Sequence, residues 1–290
     1  MREEGLPLSV WDCAQQPAQL QRQGRYLAES VAHPAKMLPA IAARAITTFT
    51  QPGDLVLDPM CGIGTTLMEA VYSGRNAVGV EYEPRWADLA RANLAHAAGH
   101  GATGTGRVIC GDSRDLPAVA GDEGLLGRVA LLLTSPPYGA SLHGQVRPTR
   151  DSGQPGVAKW DNRYSHDRAN LAHRDLDELV EGFTQILQGC RPLLRPGGIV
   201  AITTRSFRRR GRLVDFPQQI WAAAQEAGLE PVQRLVALLC GIRDSRLIAR
   251  ASFFQMVEVR KARTAGTPLH LLAHEDLLVF RCPLSHKEVS

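Results

Sequence analysis

The 290-residue sequence lacks paired cysteines, long hydrophobic runs and short repeats. Its six cysteines stand singly, without a Cys-x-x-Cys pair, which argues against a disulfide framework or a zinc site and favours a reducing compartment. The apolar run 129–133 is far shorter than the about 20 residues that a membrane helix needs. The segment from Met1 to Leu6 carries two acids and no apolar core, so it predicts no secretory signal. We therefore predict a cytoplasmic protein that binds neither a membrane nor a metal.

The composition is that of an ordinary globular protein, with 44% hydrophobic and 21% charged residues. A net charge of only +4 is unevenly distributed. The segment from Arg205 to Arg212 contains five arginines and no acidic residue. The segment 242–263 contains six basic and two acidic residues. A basic surface on a mildly acidic body suggests a polyanionic partner, although a solvated helix face would look the same.

Short apolar strands alternate with helical periodicity from residue 33 onward. Strands are predicted at 54–58, 77–81, 107–111, 129–134, 199–203, 232–239 and 276–281, and helices at 34–48, 65–72, 85–98, 176–190 and 216–227. Such alternation predicts an α/β fold, with a doubly wound, mostly parallel seven-stranded sheet covered on both faces. Residues 1–30 are predicted to form an N-terminal extension, and 31–290 one domain with a polar insertion at 139–175 that contacts the target.

The strand at 54–58 runs into a glycine loop that predicts a cofactor site. Gly62 and Gly64 let the backbone approach a ligand, but Leu67 stands where a dinucleotide fingerprint has its third glycine. The Asp58 carboxylate would repel a pyrophosphate but would suit a positively charged amino acid. Glu81 can accept hydrogen bonds from both ribose hydroxyls. The Asp112 carboxylate or its neighbouring backbone can hold an adenine amine. This set indicates S-adenosylmethionine rather than a nicotinamide cofactor. The plainer interpretation is a helix cap and two ordinary strand ends.

The fourth predicted strand ends in Ser135-Pro136-Pro137-Tyr138, which is poor strand material because proline cannot donate to a ladder. The Ser135 hydroxyl and the Pro136 carbonyl offer two acceptors for the N–H groups of one exocyclic amine, and Tyr138 can stack on the base. Such a base must be flipped out of a duplex or already single-stranded. A simple turn with a core tyrosine is the alternative.

These segments resemble the amino-group DNA methyltransferases. Residues 134–138 resemble their catalytic motif in the serine form typical of N4-cytosine enzymes, and 58–66 their cofactor motif, with Met60-Cys61 where phenylalanine and a small residue are commoner. His33-Pro34-Ala35-Lys36 is similar to the segment that closes over the methionine end of the cofactor, and 274–280 to the final strand. The resemblance covers about 31–140 and 176–281.

The resemblance implies a Rossmann-like class I methyltransferase with an antiparallel last strand, S-adenosyl-L-methionine as cofactor and DNA as partner, and suggests a restriction–modification system. The implied cofactor residues are His33, Pro34, Lys36, Asp58, Pro59, Cys61, Gly62, Gly64, Thr65, Thr66, Glu81, Tyr82, Asp112 and Ser113. The implied catalytic residues are Ser135, Pro136, Pro137 and Tyr138.

Three rival functions stay open. N6-adenine methylation uses the same chemistry, although those enzymes usually carry Asp or Asn in place of Ser135. Guanine-N2 methylation of RNA uses a related motif, usually beside an RNA-binding domain that about 30 residues before His33 cannot hold. The third is a catalytically silent nucleic-acid-binding protein. Cytosine C5 methylation is disfavoured because no cysteine follows a proline.

Nucleic-acid contacts are predicted from two regions. The arginine cluster after the fifth predicted strand would reach phosphates, and the insertion combines planar and bidentate groups suited to reading bases. The alternatives are a solvated basic turn and a disordered loop. The predicted contact residues are Arg147, Arg150, Trp160, Arg163, Tyr164, Arg208, Arg209, Arg210 and Arg212.

Overall fold

The computed structural model describes residues 6–116, 124–138, 145–148, 157–160, 167, 170–209, 211–251 and 253–284. Its centre is an eight-stranded sheet in the order β1-β11-β14-β8-β5-β2-β3-β4. These strands are β1 Val10–Trp11, β2 Leu55–Asp58, β3 Asn76–Glu81, β4 Gly106–Cys110, β5 Val129–Thr134, β8 Leu194–Thr204, β11 Glu230–Leu238 and β14 His274–Arg281. Only β14 runs antiparallel to its two neighbours within this sheet.

Helices cover both faces of the sheet. They are α1 Ala18–Arg22, α2 Pro39–Phe49, α3 Thr65–Tyr72, α4 Pro84–Ala98, α5 Leu176–Cys190, α6 Phe216–Glu226 and α7 Phe253–Thr264. One core holds Ile41, Leu67 and Trp86 from α2, α3 and α4, and the other holds Phe183 and Phe216 from α5 and α6. None of these helices, in the described ranges, is long and apolar enough to cross a membrane.

The predicted doubly wound α/β fold and its antiparallel last strand are confirmed. The predicted strand number was one too low, because β1 adds an eighth strand at the edge, parallel to β11. Val10 pairs with Val236 and Trp11 with Ala237. A strand of two residues is too short to show an alternating pattern, so its pairing is visible only in three dimensions.

The helix predicted at 34–48 begins instead at Pro39. Proline disfavours helical geometry in the residue before it, and Leu38 is extended with φ −68° and ψ 127°. Pro39 itself occupies the first turn, where its missing N–H costs no helical hydrogen bond. His33 to Leu38 therefore form a loop rather than a helical turn, which frees them to line a site.

Three antiparallel hairpins lie outside the predicted elements. They are β6 Gln145–Pro148 with β7 Val157–Trp160, β9 Phe207–Arg209 with β10 Arg212–Val214, and β12 Cys240–Arg243 with β13 Arg246–Ala249. The first lies inside the predicted polar insertion, for which no strands were predicted. Their strands have at most four residues, which is too few for a period-two pattern to stand out from turn sequence.

The N-terminal segment packs against the sheet domain. Trp11 is buried, its ring centre lies 6.4 Å from that of Phe49, and the Arg44 guanidinium lies 5.1 Å from the Trp11 ring. The buried Tyr26 hydroxyl donates to Glu69 of α3 at 2.8 Å, and Arg25 pairs with the same carboxylate. Burial raises the pKa of Glu69, while Arg25 opposes this effect. Residues of this segment thus belong to the same core as the sheet.

We expect Trp11→Ala to lower the free energy of unfolding by about 3–5 kcal/mol, since it empties a buried aromatic site. Leu8→Ala is the control, because Leu8 is exposed and should change the free energy by less than about 0.5 kcal/mol. Urea unfolding of the full chain measures both variants. A Trp11→Ala protein as stable as Leu8→Ala would show that the segment is only loosely attached.

Candidate active site

A cavity of about 640 Å³ lies at the carboxyl ends of the parallel strands. Its lining comes from the segments that follow β2, β3, β4, β5 and β8, from the first residues of the antiparallel β14, and from the loop 33–38. In doubly wound sheets this edge is where ligands bind. The volume is that of a site for a small molecule or cofactor.

The glycine loop after β2 is shaped by close backbone approach. Gly62 has φ +54°, and a Cβ there would lie 3.0 Å from Nε2 of His33. The His33 ring is buried and meets Trp86 edge-on at 4.7 Å between ring centres. The loop 33–38 is thus held against the glycine loop. Beside it, Nζ of Lys36 donates to the carbonyl of Val31 at 3.3 Å, and burial lowers the pKa of Lys36 to about 8.

Asp58 ends β2 with its carboxyl group buried in the cavity wall. Its Oδ1 accepts from the Met60 amide at 3.1 Å and from the Thr134 hydroxyl at 2.8 Å. Burial raises the pKa of Asp58 to about 6, with hydrogen bonds from Thr66, Thr134 and Met60 opposing the rise. The Thr134 bond joins the ends of the strands β2 and β5, from which the glycine loop and the Ser-Pro-Pro-Tyr segment continue. A positively charged group in the cavity would stabilise the ionised form of Asp58.

Glu81 ends β3 and is 1% exposed. Its Oε2 accepts from the Gly62 amide at 2.8 Å and its Oε1 from the Glu83 amide at 2.9 Å. A carboxylate offers about four acceptor positions, so hydroxyl donors can be accepted besides these two amides. Glu81 therefore both fixes the glycine loop and faces the cavity as an acceptor.

Asp112 follows β4. Its Oδ2 accepts hydrogen bonds from Nη2 and Nε of Arg114 at 2.5 and 3.0 Å. Burial tends to raise the pKa of Asp112, but the hydrogen bonds from Arg114 outweigh it and hold the pKa below its usual value. The neighbouring Ser113 hydroxyl donates to the Pro59 carbonyl. The carboxylate is thus held in place at the cavity wall by a partner that the sequence pattern did not indicate.

The far end of the insertion closes one side of the cavity. The Tyr82 hydroxyl donates to Asp167 at 2.5 Å, which raises the pKa of Tyr82 to about 12. Asn170 is buried, donates to Glu83 at 2.9 Å and lines the cavity. These two contacts tie Asp167 and Asn170 to the segment that directly follows β3.

All four residues of the Ser-Pro-Pro-Tyr segment line the cavity. Pro136 is buried, and Ser135, Pro137 and Tyr138 are half-buried. The Tyr138 ring lies 5.5 Å from that of Phe216 and 5.9 Å from that of Phe207, and the Arg205 guanidinium lies 5.5 Å from its centre. Burial raises the pKa of Tyr138. Tyr138 is therefore fixed by aromatic packing while it stays in the cavity wall.

The predicted site residues converge on this one cavity. Every predicted cofactor and catalytic residue lines it except Gly64, which is the N-cap of α3 with φ +83°. Arg208, Arg209 and Arg212 lie on the β9–β10 hairpin, which follows β8 directly. The backbone of Arg147 lies in β6 and that of Trp160 in β7. Arg150, Arg163, Tyr164 and Arg210 lie outside the described residues.

Five described polar residues of the cavity wall are absent from the predicted cofactor and catalytic motifs. They are Arg114, Asn170, Arg205, Arg250 and Glu275. By sequence Arg205 belongs to the arginine cluster, yet it lines the cavity. By sequence Glu275 is only part of the last strand. The available signal was position, since Arg205 follows β8 directly and Glu275 begins the antiparallel β14 at the same edge.

The mostly parallel sheet with helices on both faces is a Rossmann-like α/β fold. TrmN from Thermus thermophilus superposes with a TM-score of 0.51 at 17% identity, covering 91% of this chain and 53% of that one. This likeness concerns the fold.

Residues 3–92 match the N6/N4 methyltransferase family model, described as DNA methylase. The matched part of the chain carries the glycine loop and Glu81. The matched range ends before the Ser-Pro-Pro-Tyr segment.

Two curated relatives share shorter stretches. The chain is 36% identical over 110 residues to a tRNA (guanine(10)-N2)-dimethyltransferase of Methanothermobacter thermautotrophicus, covering 38% of this chain and 30% of the relative. It is 40% identical over 62 residues to the Type II methyltransferase M.BglI of Bacillus subtilis, covering 21% of this chain and 18% of the relative. The chain thus spans less than a third of the length of either relative.

The matched family model and the fold imply S-adenosylmethionine as the cofactor, and the residues present fit it. Because residue 62 is a glycine, the space beside the His33 ring that a Cβ would occupy stays open. Asp58 and Glu81 are buried carboxyl groups of the kind that would accept from an ammonium group and from ribose hydroxyls. Tyr82, Asp112 and Ser113 line the part of the cavity beyond Glu81.

Proposed function

We propose that this protein transfers a methyl group from S-adenosylmethionine to the N4 amino group of a flipped cytosine in DNA. The observation that carries the proposal is the shared cavity of the cofactor acids and the Ser-Pro-Pro-Tyr segment. Thr134, the residue before Ser135, donates to Asp58 at 2.8 Å, so the two sets are neighbours in the cavity wall. An acceptor for an amino group therefore stands beside the site suited to the cofactor.

The residues of the segment after β5 have separate tasks in this proposal. S-adenosylmethionine supplies a methyl group on a positively charged sulfur. The Ser135 hydroxyl and the Pro136 carbonyl accept the two N–H groups of the target amine, which directs the nitrogen lone pair toward that methyl. The rings of Pro136 and Pro137 fix their own φ angles, so the acceptors are held in place before the base arrives. Tyr138 presents its ring to the base.

Cytosine is favoured over adenine by Ser135, since the serine form of the motif is typical of N4-cytosine enzymes. Guanine N2 in RNA is the second candidate. It is supported by the relative described as a tRNA (guanine(10)-N2)-dimethyltransferase, which is 36% identical over 110 residues. The relative described as a Type II methyltransferase supports the first candidate.

Methyl transfer from labelled S-adenosylmethionine tests the proposal. The purified full chain is incubated with duplex DNA, single-stranded DNA and tRNA, and the digested nucleosides are separated. N4-methylcytosine in DNA is the expected product. N6-methyladenine in DNA, N2-methylguanine in RNA, or no transfer to any nucleic acid would contradict the proposal.

Two surfaces support nucleic-acid binding in this proposal. Arg209 and Arg212 face each other across the β9–β10 hairpin and are exposed. Phe207, at the start of that hairpin, contacts Tyr138, so these charges lie near the proposed base site. The insertion at 139–175 is proposed to read the target, with 31–290 as the catalytic domain and 1–30 as an extension joined to it. The cytoplasmic location and a restriction partner stay predictions.

Replacing Arg209 and Arg212 together by glutamine should weaken binding to all DNA sequences alike. The salt dependence should flatten by about one unit in slope for each phosphate that an arginine no longer neutralises. Arg208 is left in place because it donates to the Gly211 carbonyl at 2.6 Å and holds the turn. Fluorescence anisotropy at several salt concentrations measures the slope.

The matched control is Arg195→Gln with Arg281→Gln, which removes two charges at the opposite edge of the sheet. Both arginines are paired there, with Asp54 and Glu230. The control should bind DNA with the unchanged slope. Equal flattening in both double variants would mean that only net charge matters and that the hairpin is no contact surface.

A further inference from the structure

Two oppositely charged side chains of the cavity wall, Arg205 and Glu275, are not part of the cofactor or catalytic motifs. Strand order brings them to the catalytic segment, because β14, β8 and β5 are consecutive in the sheet. Thr204 pairs with Asp276, and Thr134 pairs with Ile202. Since β14 runs antiparallel, its first residues meet the carboxyl ends of β8 and β5. Arg205 and Glu275 therefore stand at the same edge as Ser135 to Tyr138.

Arg205 lies beside the Tyr138 side chain. Its guanidinium is 5.5 Å from the centre of the Tyr138 ring, and the Tyr138 hydroxyl interacts with it. Glu275 lines the same cavity wall, and its neighbour Asp276 pairs across the sheet with Thr204, the residue before Arg205. Burial raises the pKa of Glu275, and the Arg205 charge opposes the rise. The pair thus borders the ring on which the target base is proposed to stack.

The two hydrogen-bond acceptors of the catalytic segment would bind the exocyclic amine of any of the candidate bases. Ser135 and Pro136 offer acceptors for an exocyclic amine, and cytosine, adenine and guanine all carry one. The bases differ at the ring nitrogen next to that amine: N3 of cytosine and N1 of adenine are acceptors, whereas N1 of guanine carries a hydrogen. Flipped bases are read by hydrogen bonds to this edge. A donor must therefore face that nitrogen for cytosine, and an acceptor for guanine.

We propose that Arg205 donates a hydrogen bond to N3 of the flipped cytosine and that Glu275 holds the guanidinium in the required orientation. Arg205 is then a specificity-determining residue and Glu275 a positioning residue. The inference rests on the proposed function and assigns the reading of the base to residues of β8 and β14. Arginine suits the task because it donates through a rigid planar fork and stays charged when desolvated.

The test compares cytosine with 3-deazacytosine, in which a C–H group replaces N3, in the same single-stranded oligonucleotide. Single-turnover methylation rates are measured for the wild-type protein, Arg205→Met and Glu275→Gln. The ratio of the two rates is the readout, because comparing ratios between proteins cancels the intrinsic difference in amine reactivity. Methionine keeps an aliphatic chain near Tyr138 while removing the donors. Calorimetry with S-adenosylmethionine confirms that each variant is folded and binds the cofactor.

The ratio of cytosine to 3-deazacytosine rates should fall about 10-fold or more in Arg205→Met, as expected when the base no longer receives a charged hydrogen bond. In Glu275→Gln the same ratio should fall by a smaller factor than in Arg205→Met. Arg250→Met is the control: Arg250 also lines the cavity but donates to the Ala14 and Gln15 carbonyls, so its ratio should equal that of the wild type.

An unchanged ratio in Arg205→Met would overturn the inference while the proposed function stands, even if that variant were slow. A wild-type protein that methylates no cytosine would overturn both. A third outcome would also overturn the inference: the wild type and Arg205→Met methylate guanine N2 in RNA, and Glu275→Gln does not. Glu275 would then be the residue that recognises the base, by accepting a hydrogen bond from guanine N1.

Discussion

Tyr138→Ala should abolish methyl transfer while leaving the affinity for S-adenosylmethionine almost unchanged. The ring is proposed to stack on the target base, whereas the cofactor acids Asp58 and Glu81 end β2 and β3. A rate reduced by about 100-fold or more is expected, because a misplaced reacting base forfeits the orientation on which transfer depends. Radiolabelled methyl transfer and calorimetry on the same preparation measure the two effects.

Tyr138→Phe is the matched control for packing. It keeps the ring contacts with Phe207 and Phe216 and removes only the hydroxyl group near Arg205. We expect it to retain most of the activity. If cofactor affinity in Tyr138→Ala fell as far as activity did, Tyr138 would serve mainly to pack the cavity wall, and the proposed division between cofactor and base residues would be wrong.

The parts of the site that the sequence predicted are those held by contiguous motifs. Asp58, Gly62 and Ser135 to Tyr138 directly follow buried strands, and such strands are recognisable as short apolar runs bounded by turns. Because the carboxyl ends of parallel strands meet at one edge, their order along the chain was enough to bring them together. The cavity that they line agrees with this placement.

The parts that the sequence did not predict depend on contacts between distant segments. Trp11 pairs with Ala237 across the sheet edge, a contact between residues far apart in sequence. Glu275 reaches the cavity only because β14 lies antiparallel beside β8, and neither its type nor its neighbours indicates a site. Asp112 or its backbone was predicted to hold an adenine amine, and nothing in the sequence pattern indicated that Arg114 pairs with its carboxylate. Pairing partners of this kind cannot be read from spacing alone.

Glu81→Ala should weaken S-adenosylmethionine binding by about 10- to 100-fold, which corresponds to the loss of about 1–3 kcal/mol for a charged hydrogen-bond acceptor. The buried carboxylate also accepts from the amides of Gly62 and Glu83. Removing it leaves two backbone donors of the cavity wall without that acceptor, so the glycine loop should lose order as well. Calorimetry with S-adenosylmethionine gives the affinity, and thermal unfolding without cofactor gives the loss of stability.

Two further variants separate these effects. Glu81→Gln keeps the length of the side chain but has one carbonyl oxygen and turns an amide N–H toward a backbone donor, so it should bind the cofactor more weakly than the wild type. Glu230→Ala removes an exposed carboxylate that pairs with Arg281 at the opposite edge, and should leave affinity unchanged. A folded Glu81→Ala protein with the wild-type affinity would remove Glu81 from the cofactor site and leave it a purely structural link between β3 and the glycine loop.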